Sequence, residues 1–258
     1  LLYGGAAASN AALQKSLLEA ERAGMSGNFL VNMILVKDMV QLDLTGPFEV
    51  LARVPGWTIE LVGASLDPVR TDRGLTILPT VTREIAQQPS LFVVPGGTGI
   101  DEVMVDPHWV RFVRNQAKAA GHVFGICTGS LLLAAAGLLR GRRAGAHWQA
   151  RDLLARFGAI PSDERMVVDG KYYTSGGVTS GIDMALRLVG DLAGPETAQK
   201  IQLQIEYDPA PPFPGGTPFT SPPDIVAAVK QASMQRRAAR ERRVAEAVDA
   251  LRAEKLAP

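Results

Sequence analysis

Residues 122–139 read HVFGICTGSLLLAAAGLL: an apolar run, a corner of small residues, then a helix-forming run, with a cysteine at the corner. Cys127 is the only cysteine in the chain. Gly125-Ile126-Cys127-Thr128-Gly129 has the form G-x-C-x-G, the thiol counterpart of a nucleophile elbow. Glycines flank such a residue because its backbone is strained and neighbouring side chains would clash. A strand over 123–126 and a helix over 130–139 follow, and the helix N–H groups and dipole at Ser130 predict a lowered thiol pKa and a thiolate at neutral pH. The plainer alternative is a small hydrophobe ending a buried strand.

Outward from the elbow, 29–36 and 91–95 are further unalternating apolar runs, suited to parallel strands covered on both faces. Helical spacing follows each, over 47–54 and 107–119, so strands and helices alternate. Residues 57–64 add a strand and 165–175 a hairpin that turns at Asp169-Gly170. Helices are predicted over 179–192 and 195–207, Pro195 fitting a first turn. The predicted class is α/β, a doubly wound, mostly parallel sheet with helices on both faces and an added C-terminal helix.

The 258 residues suffice for one large α/β unit, and 47% of them are apolar. A net charge of +1 suggests neither nucleic acid nor an acidic partner. One thiol forms no internal disulfide, which points to packing for stability and to a reducing, cytoplasmic compartment. No run reaches the roughly 18 apolar residues of a membrane span. Residues 1–27, with a helix around 13–22, are read as an N-terminal extension outside the core and not a signal peptide. The α/β domain is placed at 28–207. Residues 208–223, DPAPPFPGGTPFTSPP, form a proline-stiffened strap. Residues 224–258 form a helix capped by Asp224, with Ile225, Val229, Val244, Val248 and Leu251 on a broken apolar stripe. Its eight basic and four acidic residues between Lys230 and Lys255 are read as a solvated face.

Candidate partners for the sulfur are few. His108 and His122 read as structural; His147, about 20 residues after Cys127, falls on the rim where open α/β sheets place their sites. It is either a base or a packed histidine beside Trp148. Asp43 lies in VQLDLTGPFEV, in a loop ahead of a helix that Gly46, Pro47 and Glu49 already start, so its carboxylate is free for other work; a plain loop turn is the alternative. Facing Cys127, it would share one proton with the thiol. Gly96-Gly97-Thr98-Gly99 can offer backbone N–H groups to an anion or oxyanion, or be an ordinary tight turn. Gly176 to Gly181 lacks a P-loop lysine and suits close backbone approach to a small pocket. No metal-ligand spacing is present, and neither metal nor cofactor is expected.

The segments LDLTGPFEVLA, FVVPGGTG, GICTGSLLLAAAGLLRGRRA, HW, GGVTSGIDMAL and QIEYDPAPPF resemble the DJ-1/PfpI (ThiJ) superfamily, within it the isocyanide hydratases. The likeness covers residues 28–230. It implies a flavodoxin-like sheet, a homodimer, a catalytic Cys127 and an acidic partner, Asp43. It further implies Thr128 holding that carboxyl group through its hydroxyl or N–H and Gly177 and Val178 walling the cysteine, with Gly97 and Thr98 at the substrate. His147 would be secondary, and the substrate an isocyanide, hydrated without a cofactor to an N-substituted formamide through a cysteine thioimidate. Other readings are a redox-sensing cysteine, a glutamine amidotransferase, for which no His-x-Glu pair is present, and a regulator, for which the 35 residues of 224–258 are too few to form the two helix-turn-helix units.

Overall fold

The computed structural model describes residues 29–256; the proposed N-terminal extension and its helix lie outside the described residues. Seven strands form the sheet: β1 (Phe29–Ile34), β2 (Trp57–Gly63), β3 (Val81–Thr82), β4 (Leu91–Val94), β5 (His122–Ile126), β6 (Met166–Asp169) and β7 (Tyr172–Ser175). Their order is β6-β7-β5-β4-β1-β2-β3, and every pairing is parallel except the β6–β7 hairpin. The hairpin turns at Gly170, whose φ of 60° suits a residue without Cβ. Counting only β1, β2, β4, β5 and β7, the order is the flavodoxin-like 2-1-3-4-5, with a switch point between β1 and β4.

β1, β4 and β5 are apolar without alternation because both of their faces are covered. All of β4, and all of β1 and β5 but their first residues, are buried. One helical layer contains α1 (Gln41–Leu51), α5 (Ser180–Ala193) and α6 (Pro195–Gln204). The other contains α2 (Ile100–Val103), α3 (Pro107–Ala119), α4 (Gly129–Ala135) and the 34-residue α7 (Pro223–Leu256). No helix among the described residues is long and apolar enough to cross a membrane.

Helix α1 departs from the expected 47–54. It begins at Gln41, so Pro47 lies inside it and Asp43 lies in its first turn, not in a loop. An interior proline forfeits a helix hydrogen bond and costs about 3 kcal/mol, so packing must compensate. Gly46 and Pro47 meet α5 closely: a Cβ on Gly46 would come within 2.9 Å of Ile182, and one on Gly181 within 3.2 Å of Pro47. Small residues on both sides let the two helices touch. Helix α4 is shorter than the expected 130–139, because Gly137 turns left-handed at φ 77° and ends it.

Helix α7 starts at Pro223 and packs Val244, Ala247 and Val248 into the core. Ile225 and Val229, placed on the same stripe, remain exposed. Three of its arginines are not on a solvated face. Arg237 grips Asp152 with two nitrogens, at 2.8 and 2.6 Å, Arg240 meets Asp101 at 2.6 Å, and Arg243 meets Glu102 at 2.7 Å. Three arginines at spacing three share one helix face, and these ion pairs hold α7 against the α/β unit.

Candidate active site

Cys127 follows β5 directly and takes a φ of 57°, a left-handed conformation costly for a non-glycine residue. The surroundings impose it. The Cys127 N–H donates to the carbonyls of Ser175 and Gly176 at 3.2 and 3.1 Å, which pins the corner to the end of β7. A Cβ on Gly125 would meet Leu133 at 2.7 Å, and one on Gly129 would overlap the Val94 carbonyl. The flanking glycines are therefore steric requirements of the elbow.

The loop after β4 holds the acid, which α1 carries. The Val40 N–H donates to the Gly96 carbonyl at 3.0 Å, and Met39 bridges Gly97, so the segments after β1 and β4 are clamped together. This clamp puts Asp43 Oδ2 where the Gly96 N–H donates to it, at 3.0 Å. The fully buried Asp43 carboxyl converges on Cys127 beside Gly96, and Oδ1 has no hydrogen-bond partner among the described residues. Gly96 permits this convergence: a Cβ there would sit 2.7 Å from Asp43 Oδ2 and 2.8 Å from Cys127 Cβ.

One expected role changes in part. The Thr128 hydroxyl does not hold Asp43; it accepts from the Gly97 N–H at 2.8 Å and donates to the Gly97 carbonyl at 2.9 Å. In the glycine turn the N–H groups of Gly96, Gly97 and Gly99 are committed to Asp43, Thr128 and the Asp38 carbonyl, while Thr98 lines the pocket. The work of the turn is to hold the acid and the elbow in register. The Thr98 hydroxyl donates to the Asp38 carbonyl at 3.2 Å.

Electrostatics also correct the expected thiolate. Burial, and then the charge of Asp43, push the Cys127 thiol well above its ordinary value, while the Thr128 N–H pulls in the opposite direction. The seven-residue α4 does not offset the loss of water around the sulfur. Burial likewise raises Asp43 from 3.8 to about 7, against the Gly96 N–H and the Cys127 thiol, and Asp72 adds to the rise. Without substrate the pair is a thiol beside a carboxyl group that titrates near neutrality. One shared proton then belongs to both residues.

A pocket of about 210 Å³ opens on Cys127, with Gly97, Thr98, Thr128, His147 and Val178 in its lining. Asp43 lies behind that lining. Gly177 faces the ring of His147, where a Cβ would come within 3.1 Å, rather than the sulfur. His147 Nδ1 accepts from the Gln149 N–H at 3.3 Å. Burial, followed by Arg240, Arg236 and Arg151, lowers its pKa to about 4, so it is neutral. Asp72 and, from α7, Arg236 and Arg240 complete the wall. No motif marks these three in the sequence, since they are brought in by chain segments remote from the elbow. Among the described residues no group of three or more His, Cys, Asp or Glu side chains could hold a metal.

This geometry has close counterparts. The chain is 47% identical over 196 residues to an isonitrile hydratase of Pseudomonas putida, covering 76% of this chain and 86% of that protein. A crystal structure of a ThiJ/PfpI family protein from Pseudomonas syringae superposes with a TM-score of 0.83 at 36% identity, over 85% of this chain and 92% of the other. Drosophila melanogaster DJ-1beta, at 23% identity and a TM-score of 0.64 over 70% of this chain and 98% of its own, shares the fold. The DJ-1/PfpI family model matches residues 30–191, the span that contains the acid-bearing helix, the glycine turn, the cysteine elbow and the wall that faces it. The chain therefore belongs to the DJ-1/PfpI family.

Proposed function

We propose that the protein is an isocyanide hydratase, converting an isocyanide and water to an N-substituted formamide. The observation that carries this reading is the buried Cys127–Asp43 pair opening on a small pocket. The 47% identity to an isonitrile hydratase supports the substrate class.

The terminal isocyanide carbon bears a lone pair and also accepts a nucleophile, so it needs a sulfur and a proton delivered to one atom. In the reactive form the pair holds a single proton. The thiol passes it to Asp43, the sulfur bonds to the terminal carbon, and the Asp43 carboxyl group returns the proton to that carbon. The product of this half-reaction is an S-bound thioimidate, R–N=CH–S. Water then adds across the C=N bond, its proton going to nitrogen. The C–S bond breaks, the hydroxyl proton returns to the pair, and R–NH–CHO leaves. Neither oxidant nor cofactor enters this balance.

Gly96 and Thr128 act as positioning groups, the first on Asp43 and the second on the Gly97 turn. Gly97, Thr98 and Val178 shape the pocket around the substrate, with Gly177 behind His147. A raised, buried thiol weighs against oxidant sensing, which favours an accessible sulfur of low pKa. The reading places this chemistry in one α/β unit at 28–207, strapped by 208–223 and covered by the helix of 224–258, in a cytoplasmic homodimer. The test is formamide production from alkyl and aryl isocyanides. Turnover that disappears in Cys127→Ala supports the assignment, and no product from any of the panel overturns it.

A further inference from the structure

Among the arginines of α7, Arg236 and Arg242 have no carboxylate partner among the described residues, and of these two Arg236 alone lines the Cys127 pocket. Arg237, Arg240 and Arg243 pair with carboxylates of the α/β unit, whereas Arg236 makes no hydrogen bond or ion pair among the described residues and lies in the wall of the Cys127 pocket. Asp101, the carboxylate whose field Arg236 shares, is already bonded to Arg240 at 2.6 Å. Arg73, the remaining cation of the lining, faces Asp72 at 3.4 Å.

Three arginines in the wall are thus set against Asp72 and Asp101, leaving one positive charge, on Arg236. His147 adds none, being neutral. The negative charge of the singly protonated Cys127–Asp43 pair sits at the elbow end of the pocket, on Cys127 in the lining and Asp43 behind it, away from the substituent. An isocyanide is linear at nitrogen, so a molecule with its terminal carbon at the sulfur directs its substituent away from the elbow, toward the walls and mouth. A guanidinium with free donors there matches a carboxylate, which it can bind with two parallel hydrogen bonds.

Building on the hydratase reading, we propose that the site selects isocyanides that carry a carboxylate on the substituent remote from the reacting carbon, and that Arg236 is the residue that recognises it. Arg236 is exposed, so water screens the pair, and the expected discrimination is about two- to fivefold.

The experiment compares kcat/KM for 4-isocyanobenzoate with that for its methyl ester, which keeps the ring and removes the charge. The wild-type protein is expected to favour the carboxylate about two- to fivefold. That ratio is expected to fall toward one in Arg236→Gln, to be partly retained in Arg236→Lys, and to shrink at high salt. Arg252→Gln, near the end of the same helix and outside the pocket, controls for net charge and is expected to keep the wild-type ratio. A wild-type ratio at or below one, or a ratio unchanged by Arg236→Gln, overturns the inference while leaving the hydratase reading standing. Turnover of neither compound, nor of a simple aryl isocyanide, overturns both.

Discussion

Asp43 is held at a thermodynamic disadvantage, and Asp43→Asn should expose its size. The carboxyl is fully buried, and its pKa rises from 3.8 to about 7. Each tenfold change in proton affinity is worth about 1.4 kcal/mol, so the charged folded form is penalised by about 4 kcal/mol relative to the unfolded chain. The sign follows from proton binding. Below pH 3.8 both states hold the proton and no penalty exists; as pH rises toward 7 the unfolded state sheds its proton first and the folded protein loses stability; above 7 the penalty is constant. An asparagine removes that pH dependence. Its amide leaves a donor beside the unpartnered Oδ1 position, a cost of about 1 to 3 kcal/mol that is the same at every pH. Urea unfolding of both proteins from pH 4 to pH 8.5 should therefore show the stability of Asp43→Asn gaining on wild type by about 4 kcal/mol, with most of the gain between pH 4 and 7. A difference that is flat across this range, or that grows toward acid, refutes the buried-carboxyl argument.

Further outcomes follow from the same site. Since the reactive pair holds one proton, kcat/KM for a neutral isocyanide should rise with pH through about 7 and stay level until the thiol titrates well above its ordinary value; Asp72→Asn should move the rising limb to lower pH, because Asp72 adds to the elevation of Asp43. A limb unmoved or shifted upward contradicts that assignment. His147→Ala should retain substantial formamide production, the ring being neutral and without a hydrogen bond to the sulfur; complete loss would restore a Cys/His mechanism. Arg240→Met strands Asp101 in a buried position and should cost about 3 to 5 kcal/mol in denaturant titrations. Arg240→Met combined with Asp101→Leu should recover much of that loss, and no recovery would mean that the pair is not what Arg240 contributes.

The strands and the elbow are legible in the sequence because their signals are local. Apolar runs without alternation mark β1, β4 and β5, Asp169-Gly170 marks the hairpin, and Gly125 and Gly129 mark a corner that tolerates no neighbouring Cβ. Helix α1 is misplaced when read locally. Pro47 looks like a first turn, and only the contact of Gly46 and Pro47 with α5 explains a proline inside the helix. Thr128 is likewise identified as part of the site, but its hydroxyl partner, Gly97, is set by how the loops after β4 and β5 meet.

What the sequence determines by itself is a cysteine on a strained strand-to-helix turn, with an acid available after the first strand, since backbone sterics and hydrophobic periodicity act over a few residues. The tertiary structure alone decides the protonation state of that pair and the charge of the pocket around it. Desolvation of Cys127 and Asp43 depends on everything packed over them, and it outweighs the short helix that, read alone, predicts a thiolate. Arg236 and Arg240 reach the pocket from more than 100 residues downstream because α7 lies across the α/β unit. Solvation and electrostatic fields sum over spatial neighbours, and only folding chooses those neighbours.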